Sequence, residues 1–196
     1  MAYEKGLRSR EEIVSAASRI VFERGYAASS FADIAGRLGV TMGKITHHFP
    51  SKAALFEAIL EQAVERFRAE TLPIMSDPGL APAARLALVF ERLEKFYFHQ
   101  GEPIGCPVGH TAMDPVTTSP AMRSKATSLV SDMEASMARN LMEMGWPEGE
   151  AQRRAAIVTA AWQGAVMLSR AGGGIAYFRT MLAHLRGLLA EAPRPR

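Results

Sequence analysis

The chain has 196 residues, 48% of them apolar and 22% charged, with a formal net charge of +3. That apolar share supplies a buried core and excludes a disordered chain. A lone cysteine, Cys106, excludes an internal disulfide and points to a reducing compartment, and with no apolar leader in MAYEKGLRSREE and no run of spanning length the expectation is a cytoplasmic protein without a membrane partner.

Helical periodicity dominates and the fold class expected is all-α. Ser9 suits the cap of a first helix, with Glu11 and Glu12 in its first turn and Ile13, Ala16, Ala17, Ile20 and Val21 as its apolar stripe; Gly25 ends it. Ser30-Phe31-Ala32-Asp33 reads as a capping box opening a short helix that Gly39 stops after Leu38. Thr41 caps the next helix and Pro50 breaks it. Ser51 then caps a longer helix reaching Leu72, before Pro73.

Residues 30–48 therefore read as helix, glycine-containing turn, helix, the spacing of a helix-turn-helix. Ile34, Ala35 and Leu38 bury one face of the first helix, and Val40, Ile45 and Phe49 bury the second against it. Thr41, Met42, Lys44, Thr46 and His47 are left facing outward. Residues 1–52 hold eight basic against five acidic side chains, so the whole positive excess lies there and calls for an acidic partner. Glycine inside a helix costs about 1 kcal/mol relative to alanine. Gly43 accounts for that cost if the first turn of its helix must approach a DNA backbone and base edges closely. Lys44 and the helix N-termini then supply phosphate affinity. His47 and His48 point about 100° apart on a helix and so cannot easily share an ion; no metal site and no cofactor is expected.

The segment GYAASSFADIAGRLGVTMGKITHHFPSKAALFEAIL resembles the DNA-binding segment of the TetR family of one-component bacterial repressors. Phe22, Gly25, Tyr26, Ser29, Ser30, Ile34, Ala35, Gly39, Val40, Thr41, Gly43, Phe49, Lys52 and Leu55 carry the likeness. Thr46 departs from it, standing where the family usually has a tyrosine that touches a phosphate. The resemblance implies a double-stranded DNA operator as partner, contacted by Ser29, Ser30, Thr41, Met42, Gly43, Lys44, Thr46, His47 and Lys52. It implies that His47 meets the DNA backbone and that His48 packs at the helix junction. It also implies a DNA-binding domain over residues 1–54 and an effector-binding and dimerisation domain over residues 55–196.

Beyond the loop PIMSDPGLAPAA a helix is expected from about Ala83 to Gln100, then a bent segment GEPIGCPVGHTAMD, and a helix from about Pro120 to Met144. Trp146-Pro147-Glu148 opens another helix to Arg170; Gly172-Gly173-Gly174 is a turn, without the strand or spacing of a nucleotide loop; a last helix spans Ile175 to Ala190, followed by a disordered PRPR tail. Ala156, Ala160, Ala161 and Gly164 form a smooth surface for close helix approach. AIVTAAWQGAVMLSRAGG followed by an amphipathic helix resembles the family's two C-terminal helices, which implies a homodimer through residues 148–170 and 175–190; an ordinary intramolecular core is the competing reading.

Phe67, Phe96, Tyr97, Cys106, His110, Met113, Met133, Met137, Trp162, Gln163 and Met167 combine aromatics, methionines and a few polar groups, as pockets do, and are the candidates for a small-molecule effector site. The competing reading is that they are simply core. The leading function is thus a dimeric repressor, not an enzyme, released from a palindromic operator by an effector. Two rivals stand beside it: a small helical enzyme or ligand-binding protein acting through Cys106 and His110 with Asp114 nearby, and a helical protein that uses residues 1–52 to bind acidic protein surfaces.

Overall fold

The computed structural model describes residues 2–24, 29–99, 102–103, 105–106, 109 and 119–190. Gly25, Tyr26, His110, Met113, Asp114 and the PRPR tail lie outside the described residues, as does the Phe22 side chain.

Three helices form the N-terminal part: α1 (Ala2–Arg24), α2 (Phe31–Leu38) and α3 (Met42–His48). The first starts well before Ser9, so that serine is inside the helix and not its cap. The capping box of α2 is complete: the Ser30 hydroxyl accepts from the Asp33 amide at 3.1 Å, and the Asp33 carboxylate accepts from the Ser30 amide at 2.9 Å. Gly39 ends α2 in the left-handed region at φ 63°, where a Cβ would be strained. Thr41 caps α3, its hydroxyl accepting from the Lys44 amide at 3.4 Å. The core here holds Ile13, Ala17, Ile20, Ile34, Ala35, Ile45 and Phe49, and it continues past residue 54 into Phe56, Ile59 and Leu60.

Those last residues belong to α4 (Lys52–Met75), capped by Ser51, whose hydroxyl accepts from the Ala54 amide at 3.1 Å. At 1.5 Å per residue α4 is about 36 Å long, and its far half joins a second core with Val64, Phe67 and Met75. It runs through Pro73 rather than stopping at Leu72. A proline in the last turn removes one amide donor, and the end of the helix is held by side chains from elsewhere in the chain. Asn140 donates to the Met75 carbonyl at 2.9 Å, and Arg85, itself paired with Glu143 at 2.8 Å, donates to the Asp77 carbonyl at 2.7 Å.

Helix α5 (Pro82–Tyr97) starts with proline at its first position, where the missing amide costs nothing. It ends at Tyr97, not Gln100. Phe98–His99 is extended and pairs antiparallel with Glu102–Pro103 as a two-residue ladder, β1 with β2. The extended backbone lets Phe98 pack on Phe178, ring centroids 4.9 Å apart, while Tyr97 stays buried among Phe67 and Trp162. Helix α6 (Pro120–Glu143), capped by Ser119, is the second link between the cores, since its Met122 is buried in the N-terminal one and Leu129, Met133 and Leu141 in the other. Helix α7 (Glu148–Leu168) continues into a π-turn over Ser169–Gly173 that kinks at Gly172, φ 138°. Helix α8 (Gly174–Ala190) returns against α7 and α5. Gly173 permits the tight reversal, because a Cβ there would lie 2.8 Å from that of Tyr177.

Candidate nucleic-acid interface and interior cavity

Helix α3 stands out from its core on one buried residue, Ile45. Thr41, Met42, Gly43, Lys44, Thr46 and His47 are all exposed, as the spacing predicts, and Met42 is 53% exposed despite being apolar. A Cβ added at Gly43 would meet only the Thr41 hydroxyl, at 3.9 Å. Nothing among the described residues therefore requires glycine at that position. The Thr46 hydroxyl turns back to donate to the Gly43 carbonyl at 3.3 Å, in keeping with its shorter reach. Ser30 is exposed and occupied as a cap, and Lys52 is half-buried at the start of α4. Ser29 is a correction: at 2% exposure its side chain packs inside and offers no surface to a nucleic acid.

The positive groups gather on this side. Arg10 of α1 places its guanidinium over the Phe49 ring, 5.0 Å from the centroid, so α1 adds a cation beside α3 that periodicity alone could not locate. The His47 and His48 rings meet edge to face, centroids 5.1 Å apart. Burial first, then the charges of His47, Lys44 and Arg10, hold the half-buried His48 imidazole below its ordinary 6.5. Among the described residues no three histidine, cysteine or acidic side chains come together as a metal cage.

A second feature lies where α4, α5, α6 and α7 meet. The cavity there is small, about 20 Å³, room for about one water. Phe67, Phe96, Tyr97, Cys106, Met133, Trp162 and Gln163, all among the candidates named from the sequence, line it together with Ala63, Val64, Leu129, Val130 and Thr159, which were not among them. Met137 is not among them; one turn beyond Met133, it is buried in the core. Met167 is half exposed, because five residues past Trp162 it falls about 140° round the helix. The Tyr97 hydroxyl is the polar centre: Trp162 Nε1 donates to it at 3.3 Å and the Cys106 sulfur lies 3.7 Å away. Burial above all, then the neighbouring Cys106, pushes the phenol well above its ordinary value, so it is neutral at any physiological pH. The Thr159 hydroxyl is buried without a hydrogen-bond partner among the described residues.

On α7 and α8 a set of apolar side chains remains exposed: Ile157 at 61%, Met167, Leu168 and Leu188. Ala156 and Ala160 are exposed beside them, and a Cβ at Gly164 would meet no described atom within 4 Å. No described helix is long and apolar enough to cross a membrane.

Comparison with known proteins gives two family matches. Residues 13–59 match the bacterial regulatory proteins of the tetR family, and residues 82–184 match the C-terminal domain of LmrA/YxaF-like transcriptional regulators. The chain is 30% identical over 166 residues to the HTH-type transcriptional regulator YxaF of Bacillus subtilis, covering 82% of this chain and 84% of that one. Over 62 residues it is 42% identical to the HTH-type transcriptional regulator TtgR of Pseudomonas putida, covering 32% of this chain and 30% of the relative. Its fold matches the crystal structure of a TetR transcriptional regulator from Chloroflexus aurantiacus with a TM-score of 0.79 at 23% identity, over 96% of this chain and 98% of the other.

Proposed function

Because the chain belongs to the TetR family of transcriptional regulators, and so is a DNA-binding regulator and not an enzyme, we propose that it is a homodimeric repressor that a small molecule releases from a palindromic operator. The observation that carries the DNA side is Gly43: it is a glycine with open space around it on the exposed face of α3 that also carries Lys44 and His47, with Arg10 over Phe49 at the end of the same helix. The exposed apolar and small residues of α7 and α8 support a two-fold dimer through those helices. Such a dimer sets two recognition helices one DNA turn apart, about 34–36 Å. The unit that moves on DNA is then residues 1–54 together with the start of α4.

Release follows from linkage. An effector shifts DNA binding only by favouring one conformation over another. Helices α4 and α6 each carry one wall of the cavity and also reach the N-terminal core, through Leu55 to Leu60 and through Met122. They are tied to each other across that wall by Arg68 to Asp132 at 2.8 Å and by Lys125 to Glu61. A molecule that opens the nearly closed cavity must part these helices, and the part that follows is the DNA-binding unit.

Two tests probe the DNA face. Replacing Lys44 by alanine is expected to weaken operator and non-operator DNA alike and to lower the slope of log K against log salt by about 1, as for one lost phosphate contact. An unchanged slope would remove Lys44 from the interface. The second test uses pH. His48 is held low by burial and by its cationic neighbours in the free protein; DNA phosphates beside Arg10, Lys44 and His47 offset those charges and raise it. Binding then takes up a proton, so operator affinity should rise as pH falls from about 7.5 towards 6, and His48→Gln should reduce that rise. Equal pH slopes for wild type and variant in an anisotropy titration would place the DNA away from this cluster.

A further inference from the structure

The cavity described above specifies the chemistry of what fills it. We propose, on the reading that this cavity is the effector site, that the effector is a neutral, flat aromatic molecule carrying one hydrogen-bonding group, its ring between Phe67 and Trp162 and its polar group on Thr159.

Neutrality follows from the walls. No charged side chain is among the described residues lining the space. Two cations of α4 are held by carboxylates, Arg68 by Asp132 at 2.8 Å and Arg66 by Glu70 at 2.7 Å, and Arg66, whose guanidinium lies over the Phe96 ring 5.7 Å from its centroid, is not itself part of the lining. An ion entering here would lose its hydration without gaining a counter-charge, which is strongly unfavourable. The polar groups present, the Tyr97 hydroxyl, the Thr159 hydroxyl and the Gln163 amide, are all neutral hydrogen-bonding groups.

Flatness follows from the rings. Phe67 on α4 and Trp162 on α7 face each other with planes 22° apart and centroids 5.9 Å apart. A flat ring held between two such faces needs about 7 Å, twice the usual carbon contact distance. The face-to-face gap is no larger than the centroid distance, so the helices must open by at least about an ångström for an aromatic ring, and further for a thicker saturated one. Phe96 stands edge-on to Phe67 at 4.8 Å, closing one side, an arrangement that suits the edge and face charges of a further aromatic guest.

The polar group follows from Thr159. Its side chain is in the cavity wall, the residue is 4% exposed, and the hydroxyl has no hydrogen-bond partner among the described residues. A buried hydroxyl left unpaired is unfavourable, and a guest that pairs it gains over one that does not. The Tyr97 oxygen already accepts from Trp162 Nε1 at 3.3 Å and lies 3.7 Å from the Cys106 sulfur, which leaves Thr159 as the hydroxyl with no partner to displace among the described residues.

The test is calorimetric titration of the full-length protein at pH 7 with four matched probes: 2-naphthol, naphthalene, 2-naphthoate and decahydro-2-naphthol. We expect 2-naphthol to bind at least about tenfold tighter than the other three, tenfold being the effect of one buried hydrogen bond of about average strength. Thr159→Val, nearly the same shape, should cost 2-naphthol that factor and leave naphthalene within twofold, while Thr159→Ser keeps the preference. Equal or tighter binding of 2-naphthoate or of the saturated alcohol, indifference of 2-naphthol to Thr159→Val, or no binding of any probe would overturn the proposed class. Ala63→Phe, or Val130→Phe if the first does not fold, fills the space and should abolish binding of all probes. Undiminished 2-naphthol binding there would instead move the effector site elsewhere, a failure of the underlying reading rather than of the chemistry alone.

Discussion

Gly43→Leu is expected to abolish operator-specific binding while leaving the protein as stable as before or more so. The position is exposed in the first turn of α3, and an added Cβ would meet only the Thr41 hydroxyl at 3.9 Å. Leucine in place of glycine in a helix gains up to about 1 kcal/mol of helix propensity. The protein therefore loses nothing internally. What it loses is approach: a four-carbon side chain between α3 and the groove holds Lys44, Thr41 and Met42 away from phosphates and base edges. Specific binding should fall towards the non-specific level, at least about 1,000-fold, with the melting temperature unchanged or raised. Tight, sequence-selective binding by the leucine variant would sink this account of the glycine.

The second large effect concerns assembly. Gly164→Arg puts a long cation on the α7 face that carries Ile157, Ala160 and Leu168. Within one chain there is room for the new side chain to start, as its Cβ meets no described atom within 4 Å beyond its own helix backbone. In a dimer formed through that face the same side chain is buried against apolar neighbours with no partner charge, which is costly enough to abolish association. We expect a folded monomer in sedimentation, with unchanged helical circular dichroism, and operator binding lost with the dimer because each half-site alone is weak. A variant that sediments as a dimer and binds its operator normally would place the interface elsewhere.

How much of this was legible in the sequence depends on how local the signal is. The caps and the left-handed glycine that bound α2, α3 and the start of α4 are set by residues within four positions of each other, and Ser30, Asp33, Gly39, Thr41 and Ser51 all do what their order predicts. Where tertiary partners intervene, the reading failed. Pro73 does not stop α4: Asn140, distant in sequence, donates to the carbonyl of its last residue, Met75, and Arg85 to that of Asp77 just beyond. The apolar run Phe96-Tyr97-Phe98 carries no turn residue, so nothing in the sequence marks the change to an extended backbone at Phe98. Ser29 has the composition of a DNA contact but the burial of a core residue. In the cavity, the aromatic residues announce themselves by size. Thr159 does not: it is one hydroxyl in the run AIVTAAW, and its only signal was a polar side chain on a helix face otherwise made of apolar and small residues. Arg10 could be placed beside Phe49 only by knowing how α1 crosses α3.

Selection of bound sequences from random duplex DNA by the purified wild-type protein, followed by footprinting of the enriched site, tests the central claim most directly. The account predicts a single enriched inverted repeat with half-site centres about one helical turn apart, protected on both halves by the wild type and on neither by Gly43→Leu or Gly164→Arg at the same concentration. Recovery of no common sequence, or of a solitary half-site protected equally well by the Gly164→Arg protein, would contradict it.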